Sequence, residues 1–167
     1  MTLQELNNLP EEKLKEVFFQ CCGCRDWAAQ LVQLRPYSSF KDLKDKSDNI
    51  WFSCDEISWL EAFTYHPKIG DIESLEKKFA ATKQWALAEQ SGVHKSSKLV
   101  LQQLKEGNNS YETKYGFIFI VCATGKSAEE MLSLLQERIK NDRSDELKIA
   151  ITEQNKITHL RLNKLME

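Results

Sequence analysis

Apolar residues recur three and four positions apart through nearly the whole chain, usually behind a residue suited to start a helix. Pro10 stands where a helix can begin, and Leu14, Val17, Phe18 and Cys21 follow at helical spacing. Asp26 is placed to cap a short helix carrying Trp27, Leu31 and Leu34, which Pro36 stops. Ser39 can start a helix through Leu43, with Ile50 and Trp51 beyond a polar stretch. Asp55 can cap another, containing Ile57, Leu60, Ala62 and Phe63 and ending before His66-Pro67. Asp71 opens a longer helix whose inner stripe is Ile72, Leu75, Phe79 and Thr82, with Gly92 as its stop. The next helix covers Ser97 to Lys105 and ends at Gly107-Asn108-Asn109. Ser127-Ala128-Glu129-Glu130 has the form of a capping box ahead of Met131, Leu134, Leu135 and Ile139. Ser144 caps a last long helix that buries Leu147, Ile151, Ile157 and Leu165.

One segment dissents. Tyr115-Gly116-Phe117-Ile118-Phe119-Ile120-Val121-Cys122-Ala123 is β-branched and aromatic, the composition of a strand. A lone strand would leave its backbone ladder unpaired, which is costly when buried. The segment therefore pairs with something else in the chain, or it is a buried helix or an extended core segment. Periodicity cannot decide short apolar runs.

At 167 residues, without repeats or linker-like tracts, the chain is expected to form one domain, 1–167. A net charge of −2 supplies no basic field, which disfavours nucleic acid or an anionic membrane as partner. No apolar run reaches the roughly 20 residues that span a bilayer. The N-terminus lacks a basic region followed by an apolar one, and the C-terminus is not Ser-Lys-Leu, so a cytoplasmic location is expected. Cys21, Cys22, Cys24, Cys54 and Cys122 make an odd count, which favours reduced thiols. The cluster Cys21-Cys22-Gly23-Cys24 has no second Cys pair or spaced histidines to complete a zinc site, so no metal is expected.

Three places put polar groups where a helical core does not need them. In Tyr65-His66-Pro67-Lys68-Ile69-Gly70-Asp71, proline fixes φ, glycine permits φ > 0 and aspartate can begin a helix. This segment is either an interhelix turn with a chance histidine or a stiff elbow presenting an imidazole for proton transfer. In Trp85-Ala86-Leu87-Ala88-Glu89-Gln90-Ser91-Gly92, residues Ala86, Glu89 and Gln90 share one helix face. They are a solvated pair at a helix end, or a carboxylate and a carboxamide beside a space for ligand. Arg161 stands four residues after Ile157 and four before Leu165, inside an apolar stripe. It snorkels, pairs with an acid, or grips a carboxylate or ureido carbonyl. His94 and His159 read as surface residues. No phosphate loop, nucleophile elbow or zinc helix is present, which disfavours a cofactor-dependent enzyme.

Four motifs in order carry a resemblance: His-Pro-x-Ile-Gly-Asp from His66, Trp-x-x-x-Glu-Gln-x-Gly from Trp85, Tyr-Glu-x-Lys-Tyr-Gly-Phe-x-Phe-x-Val-Cys-Ala-x-Gly-Lys from Tyr111, and Ile-x-x-Leu-Arg-Leu from Ile157. From about Leu6 to Leu165 the chain resembles the 2-oxo-4-hydroxy-4-carboxy-5-ureidoimidazoline (OHCU) decarboxylases, which form (S)-allantoin in urate degradation. The resemblance implies a compact all-α single-domain bundle of about eight helices, a homodimer, no cofactor, and no strand at Phe117–Ala123. It implies His66 and Glu89 as catalytic residues. It implies Gln90 and Arg161 as substrate-binding residues, with Pro67, Phe119, Ile120 and Val121 contacting the ring or ureido group, partly through main chain. Ala86 stands where the family usually has serine, which puts one substrate hydrogen bond in question. Two other classes compete with this reading: a non-catalytic helical interaction module, and a cofactor-free hydrolase or isomerase of a related ureide.

Overall fold

A computed structural model describes residues 1–68 and 98–167. The helix expected from Asp71, the Ala86-Glu89-Gln90 face and His94 lie outside the described residues. Among those described there are eight helices and no strand: α1 Leu3–Asn8, α2 Glu11–Cys22, α3 Arg25–Gln33, α4 Phe40–Ser53, α5 Glu56–Thr64, α6 Lys98–Tyr115, α7 Ala128–Arg138 and α8 Arg143–Met166. The all-α expectation therefore holds. The chain divides into two compact units, residues 1–62 with 154–167, and residues 63–153.

In the first unit, short polar side chains start the helices. Thr2 and Glu5 form a capping box on α1, and Ser39 Oγ accepts from the Asp42 N–H at 3.0 Å on α4. Asp55 Oδ1 accepts from the Ser58 N–H at 2.8 Å as α5 begins. At α3 the cap is not Asp26. Cys24 Sγ takes the Trp27 N–H at 3.4 Å, and Asp26 lies in the first turn, where its charge faces the helix dipole favourably. α2 ends on Gly23 at φ 83°, a left-handed position that glycine adopts without strain. Leu14, Phe18, Trp27, Leu31, Leu43 and Trp51 fill the core, with Phe18 edge-on to Trp27 and Tyr37 at 6.0 and 6.1 Å.

α4 runs unbroken through Ser53, where the sequence suggested a helix through Leu43 and a polar stretch beyond it. The reason is Ser47. It occupies the buried face between Leu43 and Ile50, and its carbonyl accepts from Trp27 Nε1 at 3.1 Å. A polar residue on the inner stripe hid the periodicity.

In the second unit, α6 continues ten residues past Lys105, through the Gly107-Asn108-Asn109 expected to end it. Gly107 here is a packing residue. A Cβ on it would lie 2.7 Å from Leu135 Cδ2 of α7. Asn108 turns inward and donates to the Leu104 carbonyl at 2.8 Å, one turn back. The missing side chain lets α6 and α7 approach closely. A large residue at this point should cost stability. Gly107→Leu is expected to lower unfolding free energy by about 1–3 kcal/mol, the usual penalty of overpacking, measured by urea denaturation.

The Ser127 capping box on α7 is present in both directions, with Ser127 N–H to Glu130 at 2.6 Å and Glu130 N–H to Ser127 Oγ at 3.1 Å. α8 is capped two residues earlier than expected. Asp142 Oδ1, not Ser144, accepts the Asp145 N–H at 3.0 Å, and Ser144 Oγ donates to the same oxygen. These bonds hold the Asp142 carboxyl below its ordinary range. On α8, Leu147, Ile151 and Ile157 are buried as expected, but Leu162 rather than Leu165 completes the stripe.

Candidate active site

The elbow is built by the end of α5. The helix stops at Thr64, and the His66 N–H returns to the Phe63 carbonyl at 3.2 Å. Pro67 has no N–H to carry the helix further and disfavours helical geometry in the residue before it. His66 is 8% exposed and Pro67 is also buried. Lys68 ties the chain to α6, with Nζ 2.5 Å from Glu112 Oε2 and 3.2 Å from Asn109 Oδ1. A buried imidazole is thus carried on a short turn whose two sides are both anchored.

The dissenting segment lies in the same unit. Residues 117–123 are neither helix nor strand, and Phe119, Ile120 and Val121 are 2%, 2% and 6% exposed. The strand reading is therefore corrected, and the extended-core alternative stands. Side chains do the work of a ladder. Arg138 Nη1 donates to the Ile120 carbonyl at 2.7 Å, and Glu153 Oε2 accepts from the Cys122 N–H at 2.7 Å. An unsatisfied buried backbone group would cost about 1–3 kcal/mol, so each bracket matters. The rings of Phe63 and Phe117 lie 5.5 Å apart, which joins the elbow's helix to the start of this segment. Tyr111 packs edge-on against Tyr115, Phe117 and Phe119 at 4.6, 5.9 and 5.3 Å.

Beneath the aromatic cluster lies a buried charge pair that sequence reading did not single out. Glu146 is 0% exposed. Its Oε1 takes Arg138 Nε at 2.6 Å and Nη2 at 2.5 Å, and the Tyr111 hydroxyl donates to the same oxygen. Its Oε2 takes Asn141 Nδ2 at 3.0 Å. Burial and the neighbouring carboxylate raise the Tyr111 phenol above its ordinary pKa, so it stays a donor. A signal was available: Arg138 follows Met131 and Leu135 at spacings of four and three, a cation closing an apolar stripe, as Arg161 does.

Arg161 belongs to the other unit and is 2% exposed. Its Nη1 donates to the Cys21 carbonyl at 3.5 Å. Burial pushes the Cys21 thiol up to about 12, against the opposing pull of the Arg161 charge, so it is neutral at physiological pH. Two residues earlier, His159 is half-buried, with Nε2 2.5 Å from Asp48 Oδ1, which Asn155 also engages at 3.0 Å. The expectation of a surface His159 holds in part: its side chain is 28% exposed and paired with Asp48. All five cysteines are free thiols, and a shared Cys24–Cys54 hydrogen bond holds Cys24 down and Cys54 up. Among the described residues no three His, Cys, Asp or Glu side chains are grouped to hold a metal. A groove of about 330 Å³ along α2 and α3, lined by Glu12, Lys15, Phe19 and Arg25, touches none of the expected site residues. Of those residues, His66, Pro67, Phe119, Ile120 and Val121 share one unit and Arg161 lies in the other. Ala86, Glu89 and Gln90 lie outside the described residues.

The sequence model of the OHCU decarboxylase family matches residues 7–163. The chain belongs to the OHCU decarboxylase family. The uric acid degradation bifunctional protein TTL of Arabidopsis thaliana is 42% identical over 149 residues, covering 87% of this chain and 45% of that protein. The 2-oxo-4-hydroxy-4-carboxy-5-ureidoimidazoline decarboxylase of Haloferax volcanii is 24% identical, covering 97% of this chain and 94% of that protein. A crystal structure of an OHCU decarboxylase in the presence of (S)-allantoin superposes with a TM-score of 0.76 at 34% identity, covering 95% of this chain and 99% of that one. The chain spans 45% of the plant bifunctional protein and 32% of each of two bacterial ones. OHCU decarboxylase membership thus rests on nearly the whole chain and on a shared helical fold.

Proposed function

We propose that this chain is a cofactor-free decarboxylase that converts 2-oxo-4-hydroxy-4-carboxy-5-ureidoimidazoline to (S)-allantoin. The observation that carries the reading is the buried His66-Pro67 elbow, in one unit with the buried Phe119–Val121 segment, in a chain of this family. The family match runs without interruption through both compact units, which supports reading them as one catalytic domain.

The carbon–carboxylate bond breaks and CO₂ leaves. The electron pair forms a double bond to the neighbouring ureido-bearing carbon as that carbon's C=N takes up the charge. A proton then adds to the ureido-bearing carbon while the hydroxyl loses its proton and becomes a ring carbonyl. Many decarboxylases use a cofactor as the electron sink for this step. This substrate carries its own, because the carbon that loses CO₂ adjoins the ring C=N carbon that bears the ureido group. The protein needs only to orient the carboxylate, stabilise the enolate-like charge and deliver the proton to one face. His66 handles the substrate hydroxyl proton and steadies the developing charge. Glu89 hydrogen-bonds ring or ureido N–H groups, while Gln90 and Arg161 fix the polar edges. Pro67, Phe119, Ile120 and Val121 hold the ring and ureido arm. Ala86 cannot make the family's serine contact, so that hydrogen bond is either missing or supplied by water.

The same reading takes the enzyme as a cytoplasmic homodimer with no nucleic-acid or membrane partner. The net charge of −2 supplies no basic field for a nucleic acid or an anionic membrane, which supports that part of the reading. No described helix is long and apolar enough to cross a membrane. The test generates the unstable ureidoimidazoline in situ and follows both CO₂ and the optical activity of allantoin. An excess of (S)-allantoin with faster CO₂ release is expected, unchanged after exhaustive dialysis against a chelator. Racemic product at the spontaneous rate sinks the reading. Ureide hydrolysis without CO₂ makes the enzyme a hydrolase. Activity restored only by zinc brings Cys21, Cys22 and Cys24 back as ligands.

A further inference from the structure

We propose that Arg138, aligned by Glu146, is a positioning residue that sets the substrate-contacting backbone at Phe119–Val121. The inference rests on the reading of that segment as a substrate contact. In a helix or sheet, peptide planes are oriented by regular backbone bonds; residues 117–123 belong to neither. The Ile120–Val121 plane is instead oriented by a side chain, because Arg138 Nη1 holds the Ile120 carbonyl at 2.7 Å. The only cis bond among the described residues is Arg35–Pro36, so this peptide is trans and its C=O and N–H point in opposite directions. Fixing the carbonyl toward Arg138 therefore aims the Val121 N–H away from it. The guanidinium carbon also lies 4.6 Å from the centroid of the Phe119 ring, so one planar group sets both a peptide and the adjoining side chain.

Arg138 is itself fixed. Glu146 takes its Nε and Nη2, and Tyr111 and Asn141 hold the same carboxylate. A buried ion pair is a poor device for stability alone, since apolar residues of similar volume often serve as well or better. What an apolar replacement cannot do is hold a carbonyl in a chosen direction. The fork geometry of arginine does so while still satisfying Glu146.

Arg138→Lys keeps the charge opposite Glu146 and loses the fork. In the intact protein, the KM for the ureidoimidazoline and the inhibition constant for (S)-allantoin should both rise on the order of ten- to a hundredfold, with kcat far less affected. A merely structural role lowers the melting temperature and the active fraction, and hence apparent kcat, but leaves KM where it was; that result overturns the inference. Glu146→Gln keeps an oxygen for Arg138 while removing the charge, and should move KM in the same direction. If neither variant folds, the pair is a requirement of the fold and the positioning role is overturned. A wild-type protein without decarboxylase activity overturns the underlying reading, and this inference with it.

Discussion

His66→Gln is expected to lower kcat for ureidoimidazoline decarboxylation by at least about a hundredfold, with KM little changed. A hundredfold corresponds to about 2.7 kcal/mol of transition-state stabilisation, within reach of one well-placed acid–base group. Glutamine is the informative replacement because His66 is only 8% exposed. Alanine would open a cavity next to the anchored turn and mix a packing defect into the rate. Glutamine nearly fills the space and keeps a hydrogen-bonding head, but it cannot carry a proton through a neutral-to-cation cycle. The turn itself should survive. Its backbone bond to Phe63, the Pro67 ring and the Lys68–Glu112 ion pair do not use the imidazole. Circular dichroism should therefore match wild type. A variant that turns over normally removes His66 from the mechanism, whatever the fold.

The helices were legible where a start signal and an apolar stripe coincided. Ser127-Ala128-Glu129-Glu130 closes its capping box as the spacing requires, and Ser39 and Asp55 cap as expected. Legibility failed where one residue type serves two purposes. Glycine is both a helix stop and a close-packing residue, and only the position of Leu135 reveals which role Gly107 plays. Asp142 and Ser144 are both good caps, two residues apart, and the local sequence does not rank them. Ser47, within the polar stretch after Leu43, is buried, and its carbonyl accepts from Trp27, 20 residues earlier, which the local sequence does not show.

The candidate site divides along the same line. The elbow is local chemistry: proline after histidine leaves few backbone choices, and these can be read from the residues. The Phe117–Ala123 segment is not local. Its composition is that of a strand, and what replaces a partner strand is Arg138, 18 residues beyond Ile120, and Glu153, 31 beyond Cys122. Composition reports that a segment is buried more surely than how its backbone is satisfied. The family resemblance corrected the strand reading because it carries that long-range information.

Arg161→Lys is expected to weaken binding of substrate and of (S)-allantoin by roughly 1.5–3 kcal/mol, the worth of a charge-assisted hydrogen bond. Isothermal titration with allantoin checks it. The sequence places a cation in the apolar stripe of the last helix, and Arg161 is indeed 2% exposed there. Such burial removes solvent screening, so contacts to the guanidinium count for more than they would at the surface. The bond to the Cys21 carbonyl is long, at 3.5 Å, and five N–H donors let one guanidinium hold a carbonyl and grip a ligand's planar edge together. Lysine retains the charge but offers a point rather than a fork, so bidentate recognition is lost while charge neutrality within the core is unchanged. The two roles then separate cleanly. A ligand-gripping arginine loses affinity with a nearly unchanged melting temperature. A structural arginine loses melting temperature while the folded fraction binds allantoin as before, and that outcome removes Arg161 from the substrate site.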